Sequence, residues 1–226
     1  MIDLYTWTVP NGRKISIALE EMGIPYTAHG INLGKGEQKS PDYLKVNPNG
    51  KVPAIVDGEV TVFDSNAILL YLAEKTGKFL PPAKDRGALL SWLMFVASGV
   101  GPFSGQAVHF RHYAPKDQAY AHNRYQYEAR RHYGVLEAHL AGRRYMVADT
   151  YSIVDMDVWG WARMITYILG DGAWDKFPNV KRLHDEIMAR PAAVRAVALK
   201  DKFKFKAEMD DEARANMFKH LATAAA

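Results

Sequence analysis

Cysteine is absent from all 226 residues of the chain. That excludes a disulfide framework, a thiolate metal site and a Cys-x-x-Cys redox centre, so any sulfur chemistry must use a thiol that a ligand brings. No His, Asp and Glu cluster has metal-ligand spacing, so no metal is expected. Gly34-Lys35-Gly36 lacks the context of a phosphate-cradling loop. Charge of one sign is also scarce: 29 Lys and Arg against 25 Asp and Glu give a formal +4, with the basic residues dispersed. That balance gives nucleic-acid or membrane binding no support. No run reads as long and apolar enough to span a bilayer. Met1-Ile2-Asp3-Leu4-Tyr5 reads as a strand rather than a charged leader, and the cytosol is the expected location. What is present is an ordinary globular composition, 48% hydrophobic and 24% charged, long enough for one large or two modest domains.

Pattern changes once along the chain. Ile2–Trp7 alternates weakly before Pro10-Asn11-Gly12, and Ile15, Ile17, Ala18, Leu19 and Met22 mark a helix stopped by Gly23 and Pro25. Tyr26–Leu33 reads as a second strand and Asp42–Val46 as a short helix. Ala54-Ile55-Val56 runs into Asp57-Gly58, a hairpin signal, and Val60–Phe63 returns. Asp64-Ser65 are good helix N-cap residues ahead of Ala67, Ile68, Leu70, Tyr71 and Leu72. This is an α/β, thioredoxin-like N-terminal unit over residues 1–77, followed by a linker at 78–84 with Pro81-Pro82. An all-α unit is expected over 85–203. Within it, Arg86–Phe110 should be a long helix broken or bent near Gly99, Gly101 and Pro102. Ser152 and Asp155 read as a structural capping box, with Tyr151 packing on Met156 and a helix over 153–169. Residues 204–226 are expected to pack loosely as a tail.

The run from Asn49 to Leu72, with Val52-Pro53 opening a strand and Asp64-Ser65 opening a helix, resembles the glutathione-binding half of the glutathione transferases. A proline there cannot donate to the ladder, and a helix N-terminus with a hydroxyl accepts a carboxylate. The resemblance implies a cis Pro53 presenting the Val52 backbone to the cysteinyl part of glutathione. It also implies that Asp64 neutralises the γ-glutamyl amine and Ser65 takes the adjacent carboxylate. Gln38 and Lys51 would meet the glycyl carboxylate. The order of an α/β unit followed by a helical unit is the architecture of the same family.

Tyr5–Lys14, with Gly34-Lys35-Gly36-Glu37-Gln38, is similar to the bacterial Nu class, in which Thr-Pro-Asn-Gly is typical and Thr and Asn reach the thiol. This chain departs, since Val9 stands where that Thr is usual. Asn11 is therefore the candidate thiol-activating residue, at the head of the first helix, where amide and backbone N–H groups can donate to sulfur. Lowering a thiol pKa by ~2 units from ~8.5 takes ~2.7 kcal/mol of preferential anion stabilisation, within reach of a helix N-terminus with one or two donors. Arg124 resembles the arginine that contacts a second glutathione or the far end of its disulfide.

Three functions remain open on the sequence. The first is a glutathione-dependent disulfide reductase, with glutathione disulfide or two glutathiones in the cleft. The second is a transferase that adds glutathione to carbon electrophiles beside Phe103 and Trp7. The third is a non-catalytic ligand-binding or regulatory protein. Glutathione is the co-substrate in the first two, and the family implies a homodimer.

Overall fold

A computed structural model describes residues 1–203 and 209–222. Its N-terminal part is a four-stranded sheet of β1 (Ile2–Thr6), β2 (Tyr26–Gly30), β3 (Ala54–Asp57) and β4 (Val60–Phe63), in the order β2-β1-β3-β4. β1 runs parallel to β2, with Leu4 opposite Ala28, and antiparallel to β3, with Leu4 opposite Ile55. A parallel pair needs a crossover, and helix α1 (Pro10–Met22) supplies it. α1 buries Ile15, Ile17, Ala18 and Leu19 and stops at Gly23, whose φ of 69° suits a residue without Cβ. Short α2 (Pro41–Val46) precedes β3, and α3 (Ser65–Thr76) follows β4 and packs on α1. The second strand stops at Gly30, earlier than its apolar content suggests, and 3-10 turns at Leu33–Lys35 and Glu37–Lys39 lead on to α2.

Beyond the linker the described chain is helical. It comprises α4 (Arg86–Phe95), α5 (Gly101–His112), α6 (Ala119–Leu140), α7 (Ile153–Ala162), α8 (Ile165–Leu169), α9 (Ala173–Lys176), α10 (Pro178–Met188), α11 (Pro191–Ala198) and α12 (Asp211–Ala222). This is the thioredoxin-like α/β unit with an all-α unit behind it. α1 lies between the two, packed on α3 on one side and on α7 and α11 on the other.

Four local readings need correction. The glycines and Pro102 do not break the helix after Arg86; α4 and α5 join through a π-helical turn at Val96–Val100, closed by Gly101 N–H to the Val96 carbonyl at i−5. Pro102 has no N–H to give, and one extra residue in the turn absorbs that loss. Because the helix is continuous, Ala83–His112 is long and apolar enough to cross a membrane by length and composition, contrary to the sequence expectation. In this fold Leu89, Leu93, Val96 and Val100 from it enter the protein core. Residues 153–169 form two helices rather than one; Tyr151, ahead of them, packs edge-on against Phe79 at 5.6 Å and against Tyr145. Finally, the part of the tail that is described is a helix, α12, bent at Phe218 and packed on the 3-10 turn at Leu33–Lys35, where Asn216 Nδ2 donates to the Gly34 carbonyl at 2.8 Å.

Ser152 and Asp155 do form a capping box at the head of α7: Ser152 Oγ accepts from Val154 N–H, and Asp155 Oδ2 accepts from Ser152 N–H at 2.8 Å. Asp155 Oδ1 also accepts from Met146 N–H at 2.8 Å, tying the preceding loop to the helix. Burial pushes this carboxyl up to about 7, against the pull of those donors.

Candidate functional site

Two helix N-termini open on one cleft. Asn11, Lys14, Asp64, Ser65, Asn66, Val96, Ala97, Gly101, Pro102 and Trp161 line a space of about 260 Å³. One wall is the heads of α1 and α3, and the other comes from the π-turn, α5 and α7.

The head of α1 is uncapped by any side chain. Val9 is the N-cap in an extended conformation, and Pro10 is the first helical residue, where its missing N–H costs nothing. Asn11 is thus inside the first turn and does not act as the cap. Its Oδ1 is buried and has no hydrogen-bond partner among the described residues. Local structure therefore leaves this amide uncommitted. The Asn11 and Gly12 N–H groups, among the first of the helix, have no intrahelical acceptor. Gly12 is required by space: a Cβ there would sit 2.3 Å from the Trp7 carbonyl oxygen and 2.5 Å from Thr6 Oγ1.

The head of α3 is capped by Asp64, at φ 73°, whose Oδ1 accepts from Asn66 N–H at 2.9 Å and Ala67 N–H at 3.3 Å. The carboxylate is exposed and keeps Oδ2 outside these bonds. Ser65 is buried beside it. The hairpin register, Ala54 opposite Phe63, sets Pro53 next to Asp64 at the same end of the sheet. The Val52-Pro53 bond is cis, and Val52 N–H and C=O make no hydrogen bond among the described residues. Lys51 exposes its side chain while its carbonyl accepts from Tyr43 Oη and Asn47 Nδ2, both at 2.6 Å. Gln38 is buried, with Oε1 unmatched among the described residues, and its backbone lies against Gly50.

Asn11, Asp64 and Ser65 are therefore brought together, with Val52 and Pro53 along the adjoining edge. Arg124 is not in the lining; it lies half-exposed on α6 and pairs with Glu128 at 2.5 Å. Phe103 and Trp7 are not in the lining either. Phe103 stacks on His132 at 4.9 Å, and Trp7 faces Phe203 at 6.1 Å.

Sequence reasoning missed Lys14, Asn66, Asp157 and the siting of Trp161. Lys14 is 1% exposed and forms an ion pair with the fully buried Asp157. Burial pushes the Asp157 carboxyl up, while Lys14 and Asn66 pull it down. A signal existed: Lys14 stands three residues after Asn11 on a helix face otherwise made of Ile15, Ile17 and Ala18, and Asp157 interrupts an apolar run. Trp161 adds an indole Nε1 with no partner among the described residues. Among those residues no group of three or more His, Asp and Glu is placed to hold a metal ion.

Comparison with known proteins agrees with this geometry. The model of the glutathione S-transferase N-terminal domain matches residues 9–75, and that of the glutathione S-transferase C-terminal domain matches residues 106–195. The chain is 43% identical over 220 residues to the disulfide-bond oxidoreductase YfcG of Escherichia coli K12, spanning 94% of this chain and 98% of that protein. A solved glutathione transferase of Pseudomonas putida, with one glutathione disulfide bound per subunit, superimposes with a TM-score of 0.82 at 37% identity, over 87% of this chain and 90% of that one. Another, from Burkholderia graminis with two glutathione molecules bound per subunit, gives a TM-score of 0.81 at 37% identity over 87% of each chain. The chain belongs to the glutathione transferase family.

Proposed function

We propose that this protein is a glutathione-dependent disulfide reductase in which Asn11 activates the bound thiol. The observation that carries the reading is the meeting of two helix heads in one cleft of a cysteine-free chain. Ser65 N–H and Asp64 at the head of α3 suit the γ-glutamyl end of glutathione, and the uncommitted Asn11 amide and N–H groups at the head of α1 suit its sulfur. The thiolate attacks one sulfur of a small disulfide, forming a mixed disulfide and releasing one thiolate, which takes up a proton. A second glutathione thiolate attacks the glutathione sulfur of that species and releases the other half. Two glutathiones are oxidised to glutathione disulfide while one disulfide is reduced to two thiols, and no protein cysteine is consumed. The similarity to an oxidoreductase and to a structure holding glutathione disulfide supports this direction.

Gln38 and Lys51 are assigned to the glycyl carboxylate in this reading, and Val52 to the cysteinyl backbone. Arg124, whose Nη1 donates to Glu128, is assigned to a second glutathione or the far end of its disulfide. A Nu-class assignment rests on the Pro10-Asn11-Gly12 head and Gln38. A homodimer is supported by apolar side chains left exposed at Val60, Phe63 and Met94. A cytosolic location fits a reaction that draws on a reduced glutathione pool.

The test is turnover of bis(2-hydroxyethyl) disulfide with glutathione, wild type against Asn11→Ala. Robust turnover lost in the variant is expected; turnover unchanged in the variant removes Asn11 from the mechanism. The second reading, conjugation, is favoured by one feature: Val96, Ala97, Pro102 and Trp161 give the cleft an apolar wall. Activity on an aryl halide far above that on the disulfide selects it.

A further inference from the structure

An ammonium buried as deeply as that of Lys14 is costly unless the charge is paired. Here it meets Asp157 in an ion pair and lies 3.4 Å from both Ser65 Oγ and Asn66 Oδ1. The Asn66 amide has only one orientation that works. Its Nδ2 donates to the Leu93 carbonyl at 2.8 Å and to Asp157 Oδ2 at 2.5 Å, so Oδ1 faces Lys14 and accepts from Ser65 Oγ at 3.2 Å. Four side chains from α1, α3 and α7 thus form a closed network. Its polarity is ordered, because Lys14 lines the cleft and Asp157 lies fully buried outside the lining. The positive end faces the ligand space.

We propose that Lys14 is a positioning residue for the α-carboxylate of the γ-glutamyl group, acting through the Ser65 hydroxyl; this rests on the glutathione reading above. In the network as it stands, the Ser65 proton points inward to Asn66 Oδ1. A carboxylate arriving at the head of α3 needs that proton turned outward. Lys14 makes the turn affordable in hydrogen bonds, since its ammonium still donates to Asn66 Oδ1 after Ser65 has let go. The same ammonium donates to Ser65 Oγ, which strengthens the hydroxyl as a donor and sets positive charge one hydrogen bond behind the carboxylate. Asp157 and Asn66 hold the ammonium in place. The consequence is selectivity: Lys14 should matter to glutathione and not to a peptide that lacks the α-carboxylate.

The probe for that is 4-aminobutyryl-cysteinyl-glycine, which is glutathione without that group. Both peptides are titrated calorimetrically into wild type and into the paired variant Lys14→Met with Asp157→Leu, which leaves no unmatched buried charge. Glutathione affinity is expected to fall by about 10-fold, the lower end of what a charge-assisted hydrogen bond supplies. Affinity for the decarboxylated peptide should stay within about 2-fold, and kcat at saturating glutathione should also hold within about 2-fold while KM rises. Equal weakening of both peptides would make the network merely structural and overturn the proposal, as would unchanged glutathione affinity. If the paired variant does not fold, Lys14→Gln with Asp157→Asn carries the test: it keeps a donor at position 14 and leaves neither charge, and should lose glutathione affinity selectively by about 3-fold. A wild-type protein that binds neither peptide fails at the glutathione reading itself, a result distinct from loss of discrimination.

Discussion

Asn66 on α3 and Asp157 on α7 meet at 2.5 Å, Nδ2 to Oδ2, and this contact ties the two units together directly behind the candidate site. Farther along the same interface, Arg190 forms an ion pair with Glu21 of α1 and stacks over Tyr151 at 4.3 Å. Near the head of α1, Lys14 is held by Asn66 from α3 and by Asp157 from α7.

Replacing Val9 by Thr should both stabilise the protein and sharpen its chemistry. Val9 is the N-cap of α1, in the extended backbone that a capping residue uses, and contributes no side-chain bond. A threonine hydroxyl there can accept an orphan N–H of the first turn, worth ~0.5–2 kcal/mol. It also adds a hydroxyl beside Asn11. The expected outcome is a higher midpoint in urea unfolding and a lower apparent pKa for bound glutathione, read by thiolate absorbance. A stabilised variant with an unchanged thiol pKa would confine the residue to helix capping.

Glu137 is expected to be a strong determinant of stability. Pro178 begins α10 and Phe177 at its N-cap offers no oxygen, so the cap comes from another helix. Glu137 on α6 accepts from Asn179 N–H, from Asn179 Nδ2 at 2.6 Å and from Val180 N–H at 3.0 Å. Glu137→Ala leaves those donors unmatched at a helix N-terminus and should cost ~1–3 kcal/mol. Glu137→Gln should cost less. Equal urea midpoints for wild type and the alanine variant would mean that water replaces the carboxylate at no cost.

This cap marks the line between what was readable in the sequence and what was not. The pieces that were readable are local: Val52-Pro53 before a strand, Asp64-Ser65 before a helix, and Ser152 with Asp155 three residues apart. Each is specified by neighbours in the chain. Glu137 and Asn179 are separated by 42 residues, and Lys14 and Asn66 by 52. Nothing in the spacing says that these pairs meet. Trp161 was assigned to a helix correctly, yet which face would look into the cleft depends on how α7 crosses α1. The irregularity at Gly99, Gly101 and Pro102 is legible in the sequence, but its form is not: a π-turn accommodates these residues without stopping the helix.

Asp155 should give stability a pH dependence with a definite sign. Its carboxyl is pushed up to about 7 by burial, whereas in an unfolded chain it titrates near ~3.9. Between those values the folded protein keeps a proton that the unfolded chain releases. The contribution of Asp155 is therefore complete below about pH 4 and is lost as the pH rises toward about 7. Its slope is at most ~1.4 kcal/mol per pH unit. Asp155→Asn cannot titrate, so the difference in unfolding free energy between wild type and variant should shrink from about pH 5 to about pH 8. A difference that is constant across that range would show the carboxyl ionised throughout.

Gly160 and Gly134 should respond to alanine with opposite signs. At Gly134, on α6, an added Cβ meets nothing within 4 Å. Gly134→Ala therefore removes a helix-weakening glycine and should stabilise by ~0.5–1 kcal/mol. At Gly160, on α7, the added Cβ would lie 2.6 Å from Lys14 Cγ and 3.0 Å from the Pro10 carbonyl oxygen. Lys14 is anchored by Asp157 and Asn66, and Pro10 is backbone at the head of α1, so neither neighbour can give way cheaply. α7 must retreat instead, at a cost of ~1–3 kcal/mol. Because the retreat happens at the wall of the cleft, Gly160→Ala should also weaken glutathione binding, whereas Gly134→Ala should leave it unchanged. Urea unfolding and calorimetric titration of the two variants read both effects. A Gly160→Ala protein with wild-type stability and affinity would mean that the contact between α1 and α7 is loose, and that the cleft does not depend on it.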